Sequence, residues 1–470
     1  MDRSAKPIFN FVNLSHPDEL KDSETQLRIR RLAMKEVGRS RRKPKTKRER
    51  NELILEFRRP SASASAIEGL GVGQADPFGS YPIELDDTSR GLVAFIFRND
   101  GAHSRQLRGA WYPVGLSDPA AFYNILSNAR LYMLKDLSGA FPRQDDALSL
   151  SYQNVALRLL REKMKDPRQH DSDQLLAAIT SFMSHHYILG SFDGWGHHRN
   201  AMTRVIQLRG GFENVNAQEL RLTISWSDLI GSFAQDIPTI VPLPLQWLTS
   251  ATSPSPSTHP THFMSLEWKR QLPTVLDWIT IFDDITQIIS LDRGISENDL
   301  HRAATTGSWL EPTIARLLSI RPLARGTERE NVMEEVCRLG TMLFLAPIWR
   351  HLGASPVWTF NISRNLQNIL LANLVEWYDL KPLLVWSVYS AAVETRDPQE
   401  RSQFAFMLAV LMSGMDLEWE GLMMVVRSVL WVEMVFEGSD EALGREVISI
   451  LQMPTGSVTP LTEEVEGDAV

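Results

Sequence analysis

Apolar side chains recur along most of this chain at intervals of three and four residues, which places them on one face of an α-helix. Six segments carry this stripe: Phe122–Met133, Leu148–Leu160, Leu175–Leu189, Val336–Leu343 (ending at Pro347), Leu366–Trp377 and Leu422–Leu430. Alternation typical of strands is scarce, and Leu92–Phe97 is the only fair strand candidate. The pattern predicts an all-α fold, a large multi-helix domain with a disordered or partly helical N-terminal arm.

Composition divides the chain into segments. They are a basic N-terminal arm at 1–60, a flexible linker at 61–112, a first helical half at 113–241, a Pro/Ser-rich loop at 242–265, a second helical half at 266–453 and an acidic tail at 454–470. Ser, Ala and Gly dominate the linker, and proline at the density found in the loop stops helices. In the arm, Ser15 is a candidate helix cap and Gly38 a candidate helix end.

Charge is distributed unevenly. The net charge is -8, yet residues 28–50 contain 12 Lys or Arg against Glu36 and Glu49, a local charge of +10. The candidate site residues are the basic ones after Gly38: Arg39, Arg41, Arg42, Lys43, Lys45, Lys47, Arg48 and Arg50. Such a cluster is typical of segments that bind a nuclear-import receptor or the phosphates of a nucleic acid. The alternative is a solvated charged tail without a binding partner. Aromatic residues are missing from it, which disfavours stacking on bases.

The chain has a single cysteine, Cys337, so a cysteine-based zinc site or an internal disulfide cannot form and a reducing compartment is expected. We expect no signal peptide and no membrane span, because the most apolar stretch, Leu422–Phe436, includes Arg427 and Glu433. Cys337 lies in an apolar helical pattern, where a small buried side chain is a better interpretation than a nucleophile.

Motifs of catalysis are weak. A phosphate-binding loop, a nucleophile elbow and a His-Glu-x-x-His motif are all missing, and Gly69–Gly73 is a poor match to a dinucleotide-binding loop. The pairs His185-His186 and His197-His198 are adjacent residues that point apart on a helix, so a metal site is not expected. His186 lies on an apolar stripe, where a hydrogen-bonded core histidine is the better interpretation. Asp283-Asp284 lacks the third aspartate of a magnesium-binding motif. We therefore predict no catalytic residues, cofactor or metal.

Several short motifs occur in an order that resembles one protein family. They are Phe11–Pro17, Lys21-Asp22, Ile29–Arg31, Arg39–Arg50, Trp195, His198–Met202, Leu208–Gly211, Ile224, Trp226, Asp228, Pro238, Glu335–Leu339, Pro347–Arg350, Leu384–Trp386 and Leu430-Trp431. Together they resemble fungal-specific transcription-factor-domain proteins of filamentous fungi. Gly210-Gly211 also reads as a helix stop, and His198 is expected to cap the helix or pack against Trp195.

The resemblance implies an all-α regulatory domain in a nuclear transcription regulator, with metabolic or secondary-metabolite genes as candidate targets. Import receptors or DNA would bind the arm, and protein partners or a second copy would bind the helical domain. Many family members bind DNA through a six-cysteine zinc cluster, which this sequence lacks, so sequence-specific DNA binding is not carried over. A scaffold without DNA binding and an all-helical secondary-metabolism enzyme remain alternatives.

Overall fold

A computed structural model describes residues 81–98, 111–244, 278, 281–282, 285, 310–351, 354–373 and 375–452. Helices occupy most of these residues, which contain no strand, and the predicted all-α class is confirmed for this part of the chain. The basic arm, the Gly69–Gly73 loop, Asp283-Asp284, most of the Pro/Ser-rich loop and the acidic tail lie outside it. None of the described helices is both long and apolar enough to cross a membrane.

The first helices pack around two neighbouring ones. They are α1 (Asp87–Ile96), α2 (Tyr112–Leu116), α3 (Pro119–Ser138), α4 (Ala147–Met164), α5 (Asp173–Leu189), α6 (Phe192–Leu208) and α7 (Gln218–Gln235). Helix α3 packs against α1, α2, α4 and α5, and α5 packs in turn against α6 and α7. Phe122 and Tyr132 of α3 are completely buried at these contacts.

The remaining helices pack around two neighbouring ones. They are α8 (Leu310–Ser319), α9 (Arg329–His351), α10 (Phe360–Ala372), α11 (Lys381–Glu394), α12 (Pro398–Gly414), α13 (Trp419–Val429), α14 (Glu433–Phe436) and α15 (Ser439–Gln452). Helix α9 is buried from Val332 to Ala346 on every side, and it packs against α8, α10 and α11. Helix α11 continues the packing to α12 and α13.

Local sequence sets the ends of several helices. Asp118 precedes Pro119, and its carboxylate accepts hydrogen bonds from the backbone N–H of Ala120 (2.9 Å) and Ala121 (3.1 Å) at the start of α3. These bonds satisfy two of the amides that have no partner within the helix. Gly139 follows α3 with a φ of 79°, a left-handed conformation that glycine adopts without steric cost.

Both predicted halves contribute to one hydrophobic core. Trp349 of α9 contacts Trp226 and Phe233 of α7, with ring centroids 5.6 and 5.3 Å apart. A single cluster of buried residues extends from Val114 to Val447. The two parts of the sequence on either side of the predicted loop therefore cannot lose their contacts independently.

Three expectations about secondary structure were wrong. Leu92–Phe97 is not a strand, because helix α1, capped by Asp86, covers most of this segment and buries Leu92 and Phe95. This helix lies within the segment predicted as a linker. Helix α9 continues past Pro347 to His351, so the proline does not end it. Helix α10 ends at Ala372 because Asn373 is extended, which leaves Trp377 beyond the helix although it is buried.

Candidate functional site

The eight basic residues predicted as a site, Arg39 to Arg50, lie outside the described residues, so the structure assigns them no geometry. Among the residues that the structure describes, no group of three or more His, Cys, Asp or Glu side chains is arranged to hold a metal ion.

His185 is the hydrogen-bonded core histidine of this pair, whereas the sequence predicted that role for His186, whose buried Nδ1 has no hydrogen-bond partner within the described residues. One ring nitrogen lies 2.8 Å from Asn128 Oδ1, and the other lies 3.1 Å from a carboxylate oxygen of Asp145. Both nitrogens are thus engaged by side chains of α3 and of the loop that follows it. The ring fixes α5 against these segments and has no nitrogen left for a ligand.

His186 and His198 stack on each other across α5 and α6, with ring centroids 5.1 Å apart. The His198 ring also stacks on Phe182, with ring centroids 5.3 Å apart. His198 therefore packs against these two rings rather than capping a helix. Burial, together with the neighbouring imidazoles, lowers the pKa of His186 and of His198 to about 4. Two uncharged rings therefore join the helices near neutral pH.

Cys337 is completely buried in α9, and burial raises the pKa of its thiol well above the usual value. A buried thiol that stays protonated is a poor nucleophile. The prediction of a small buried side chain is confirmed.

The segment from Trp195 to Pro238 is held by one buried ion pair. Arg199 Nε donates to Asp228 Oδ1 at 2.7 Å, and the same carboxylate accepts from the backbone N–H of Ile240 (2.7 Å) and Val241 (3.1 Å). The Arg199 guanidinium also lies 5.1 Å from the ring centroid of Trp195. These bonds join α6, α7 and the turn after α7, which makes the pair a structural feature of the fold.

Gly210 and Gly211 end α6 as the sequence predicted. Gly210 has a φ of 82°, and the Gly211 N–H donates to the carbonyl of Ile206 at 3.1 Å, closing the last helical turn.

The sequence did not predict a second network of buried charges. Arg338 of α9 is fully buried and forms two hydrogen bonds with each of Asp236 and Glu335, at distances of 2.6 to 2.9 Å. Asn365 of α10 donates to the same Asp236 carboxylate at 3.1 Å. Burial alone would lower the pKa of Arg338, and the two carboxylates instead raise it. An arginine within an apolar helix pattern was the available signal, but its partners were not identifiable.

The described part of the chain contains an open cleft of about 570 Å³, which we call the basic cleft. Its lining comes from the end of α3 and the following loop, the end of α9, residues 354–358, and the turn after α11. The charged and aromatic lining residues are Lys135, Asp136, Phe141, Arg143, Arg350, Trp358 and Arg396. Four cations and one carboxylate therefore face a cavity within the usual size range of small-molecule sites.

The wall formed by residues 355–358 is fixed by tyrosines of the first half. The Tyr132 hydroxyl donates to the carbonyl of Ser355 (2.5 Å), and the Tyr187 hydroxyl donates to that of Pro356 (2.8 Å). Trp358 Nε1 donates back to the Tyr187 carbonyl at 2.8 Å. Burial raises the pKa of both tyrosines, so they remain hydroxyl donors. This wall is preorganised rather than dependent on a ligand.

Arg350, which lines the basic cleft, is held by an ion pair. Its Nη2 pairs with Glu394, whose other contact is the Thr359 hydroxyl at 2.8 Å. Burial raises the pKa of Glu394, and Arg350 opposes that shift. The Arg350 Nε is buried and has no hydrogen-bond partner within the described residues. The ion pair with Glu394 therefore fixes the position of the Arg350 guanidinium beside the cleft.

Comparison with known proteins gives one match. Residues 85–418, well over half of the chain, match the model of the fungal specific transcription factor domain. No curated protein and no solved structure matches the chain. The matched range includes α1, both buried charge networks and the residues of the basic cleft, and it supports the role of a transcription regulator. The chain belongs to the fungal specific transcription factor domain family.

Proposed function

We propose that this protein is a nuclear regulator of transcription that acts on metabolic or secondary-metabolite genes. The observation that carries the proposal is the family match over residues 85–418.

Two parts of the chain have separate roles in this proposal. The basic arm binds an import receptor, or contacts DNA phosphates, through its cationic side chains. The +10 charge of residues 28–50 supports this role, because clustered Lys and Arg side chains attract polyanions and displace their counterions. The helical domain binds protein partners or a second copy of the chain.

Import is tested with the full chain fused to a fluorescent protein. We expect nuclear accumulation, and we expect it to be lost when the basic residues of the arm are replaced by Gln, namely Arg39, Arg41, Arg42, Lys43, Lys45, Lys47, Arg48 and Arg50. The control is the triple variant Arg158→Gln, Arg161→Gln and Arg204→Gln, which neutralises exposed cations of α4 and α6. Nuclear accumulation of the arm variant would refute the role of the arm in import.

Regulation is tested by tethering the full chain to a heterologous DNA-binding domain upstream of a reporter gene. A change in transcript level in either direction supports a regulator. An unchanged transcript level, with the fusion present at the promoter, contradicts the proposal.

A scaffold that does not contact DNA is the second candidate. It is favoured by the single cysteine, which lies buried in α9 and cannot contribute to a zinc cluster. Mobility-shift titrations with the full chain and with a variant lacking residues 28–50, at two salt concentrations, separate the candidates. Binding through the arm alone should be insensitive to the DNA sequence, and its affinity should fall steeply as the salt concentration rises. A full chain that binds no DNA at either salt concentration would favour the scaffold.

A further inference from the structure

The basic cleft carries more positive charge than its own carboxylates balance. Lys135 lies 3.5 Å from Asp136, and Arg350 pairs with the buried Glu394. These two pairs leave Arg143 and Arg396 without a carboxylate at ion-pair distance among the described residues. Both arginines are exposed at the cleft, and neither donates a hydrogen bond to another described side chain or carbonyl.

Helix ends explain part of this charge. Helices α3, α9 and α11 all end at the cleft, and the end of a helix carries a partial negative charge that attracts cations. Lys135 and Arg350 occupy the last turns of α3 and α9, where this attraction is strongest. Arg143, in contrast, lies four residues beyond the cap of α3, where the attraction has decayed.

Unused donors point to a ligand more directly than net charge does. Arg350 lines the cleft with a guanidinium that Glu394 already holds in place. Arg143 and Arg396 supply two further guanidinium groups at the same cleft. A guanidinium has a planar fork of donors that matches a carboxylate or a phosphate.

The cleft also has an apolar wall. Phe141 and Trp358 meet edge to face, with ring centroids 6.4 Å apart, and the Arg143 guanidinium lies 4.5 Å from the ring centroid of Trp358. Pro356 and Val357 complete this wall. The hydrogen bonds from Tyr132 and Tyr187 hold it in place, so that a ligand would not have to order it.

We propose that the basic cleft binds a small organic anion, with a carboxylate or phosphate group at Arg143, Arg350 and Arg396 and an apolar or aromatic part against Phe141 and Trp358. The volume of about 570 Å³ accommodates a metabolite but not a folded partner. Binding itself does not depend on a role in transcription. Use of the cleft as an effector site rests on the proposed function.

The test is calorimetric titration of the full chain at a fixed ionic strength with phenyl phosphate, benzoate, inorganic phosphate and benzyl alcohol. We expect saturable one-to-one binding of phenyl phosphate or benzoate, and the tighter of the two identifies the anionic group. Inorganic phosphate should bind more weakly because it lacks the apolar part. Benzyl alcohol should not bind because it lacks the charge.

Substitutions locate the site. Arg143→Gln and Arg396→Gln should each weaken binding at least about tenfold, as expected for loss of a charged hydrogen-bond donor. Arg204→Gln, which removes an exposed arginine of α6 outside the cleft, should leave affinity unchanged. Arg396→Gln and Arg204→Gln should share the thermal midpoint of the unchanged chain because both side chains are exposed. Arg143→Gln should lower it only slightly, through loss of the contact with Trp358.

Three results would overturn the proposal. The first is that neither aromatic anion binds the unchanged chain. The second is that both arginine variants bind the anion as tightly as the unchanged chain does. The third is that binding appears only after the acidic tail at 454–470 is removed, which would make the tail the occupant of the cleft. Clearly lower thermal midpoints for both Arg143→Gln and Arg396→Gln, without binding of any probe, would assign these cations to stabilising the fold. These outcomes do not depend on the reporter and localisation measurements. The proposed ligand site and the proposed role in transcription can therefore be refuted independently.

Discussion

Asp236 combines an uncommon backbone conformation with a buried carboxylate. It follows α7 with φ and ψ of 50°, and its side chain is 6% exposed between Arg338, Arg321 and Asn365. A buried guanidinium such as that of Arg338 is tolerated only when carboxylates compensate its charge. The residue therefore joins α7, α9 and α10 at one point of the core.

Replacing Asp236 with Asn should lower the free energy of unfolding by about 3 kcal/mol, because two arginines would then share the single carboxylate of Glu335. Asparagine tolerates the left-handed conformation, so the change removes charge without adding backbone strain. The measurement is urea unfolding. Asp416→Asn is the matched control, since Asp416 is left-handed (φ 53°) but exposed, and its effect should stay within about 0.5 kcal/mol. Equal effects of the two substitutions would contradict the assignment.

Gly231 allows α7 to approach Trp195 of α6 closely. A Cβ at this position would lie 2.0 Å from the indole, and Trp195 is held by a hydrogen bond from Nε1 to the carbonyl of Ser227. We expect Gly231→Ala to lower the midpoint of thermal unfolding, with a cost of about 1–3 kcal/mol from overpacking. Gly196→Ala, in α6 with open space around it, should be neutral or slightly stabilising. A neutral Gly231→Ala would show that the indole can move.

At the scale of elements, the stacked His186 and His198 make the contact between α5 and α6 sensitive to pH. Their folded pKa values of about 4 lie below the ordinary value of 6.5. The unfolded chain therefore binds protons that the folded chain excludes between these values. The stabilisation is fully present above about pH 6.5 and is lost as the pH falls towards 4.

Urea unfolding at pH 7 and pH 5 should reveal this dependence. The loss of stability between the two values should be smaller in His198→Phe by on the order of 1–2 kcal/mol, since phenylalanine keeps the ring contact with Phe182 but does not titrate. His351→Gln, which changes an exposed histidine of α9, should behave like the unchanged chain. A His198→Phe variant with the full pH dependence would exclude this ring as the cause.

Helix positions followed from the sequence because amphipathic spacing and end signals are local. The apolar stripe at Phe122–Tyr132 predicted α3, and Gly210-Gly211 predicted the end of α6. Errors arose where tertiary contacts outweighed a local signal. Pro347 lies within α9 because that turn is surrounded by core residues such as Ile348 and Trp349, whose burial offsets the lost backbone bond.

At the scale of the whole molecule, the shared core couples the predicted halves. We expect urea unfolding followed by tryptophan fluorescence and by circular dichroism to give one coincident transition. Ile224→Ala in α7 and Leu366→Ala in α10 each empty a fully buried position, and each should shift that whole transition by about 2–5 kcal/mol. Leu137→Ala, at a position 77% exposed, should leave it unchanged. Separate transitions for the two halves would contradict a shared core.

The sequence by itself determined the helical class, most helix positions and the basic character of the arm, since periodicity and composition are properties of contiguous residues. Only the tertiary structure decided which side chains meet. Arg338 and Asp236 are 102 positions apart, and Tyr132 and Ser355 are 223 apart. The basic cleft exists because three helices end at one place, bringing together Lys135, Arg350 and Arg396. No local pattern encodes such a convergence, because it depends on how distant helices pack against a shared core.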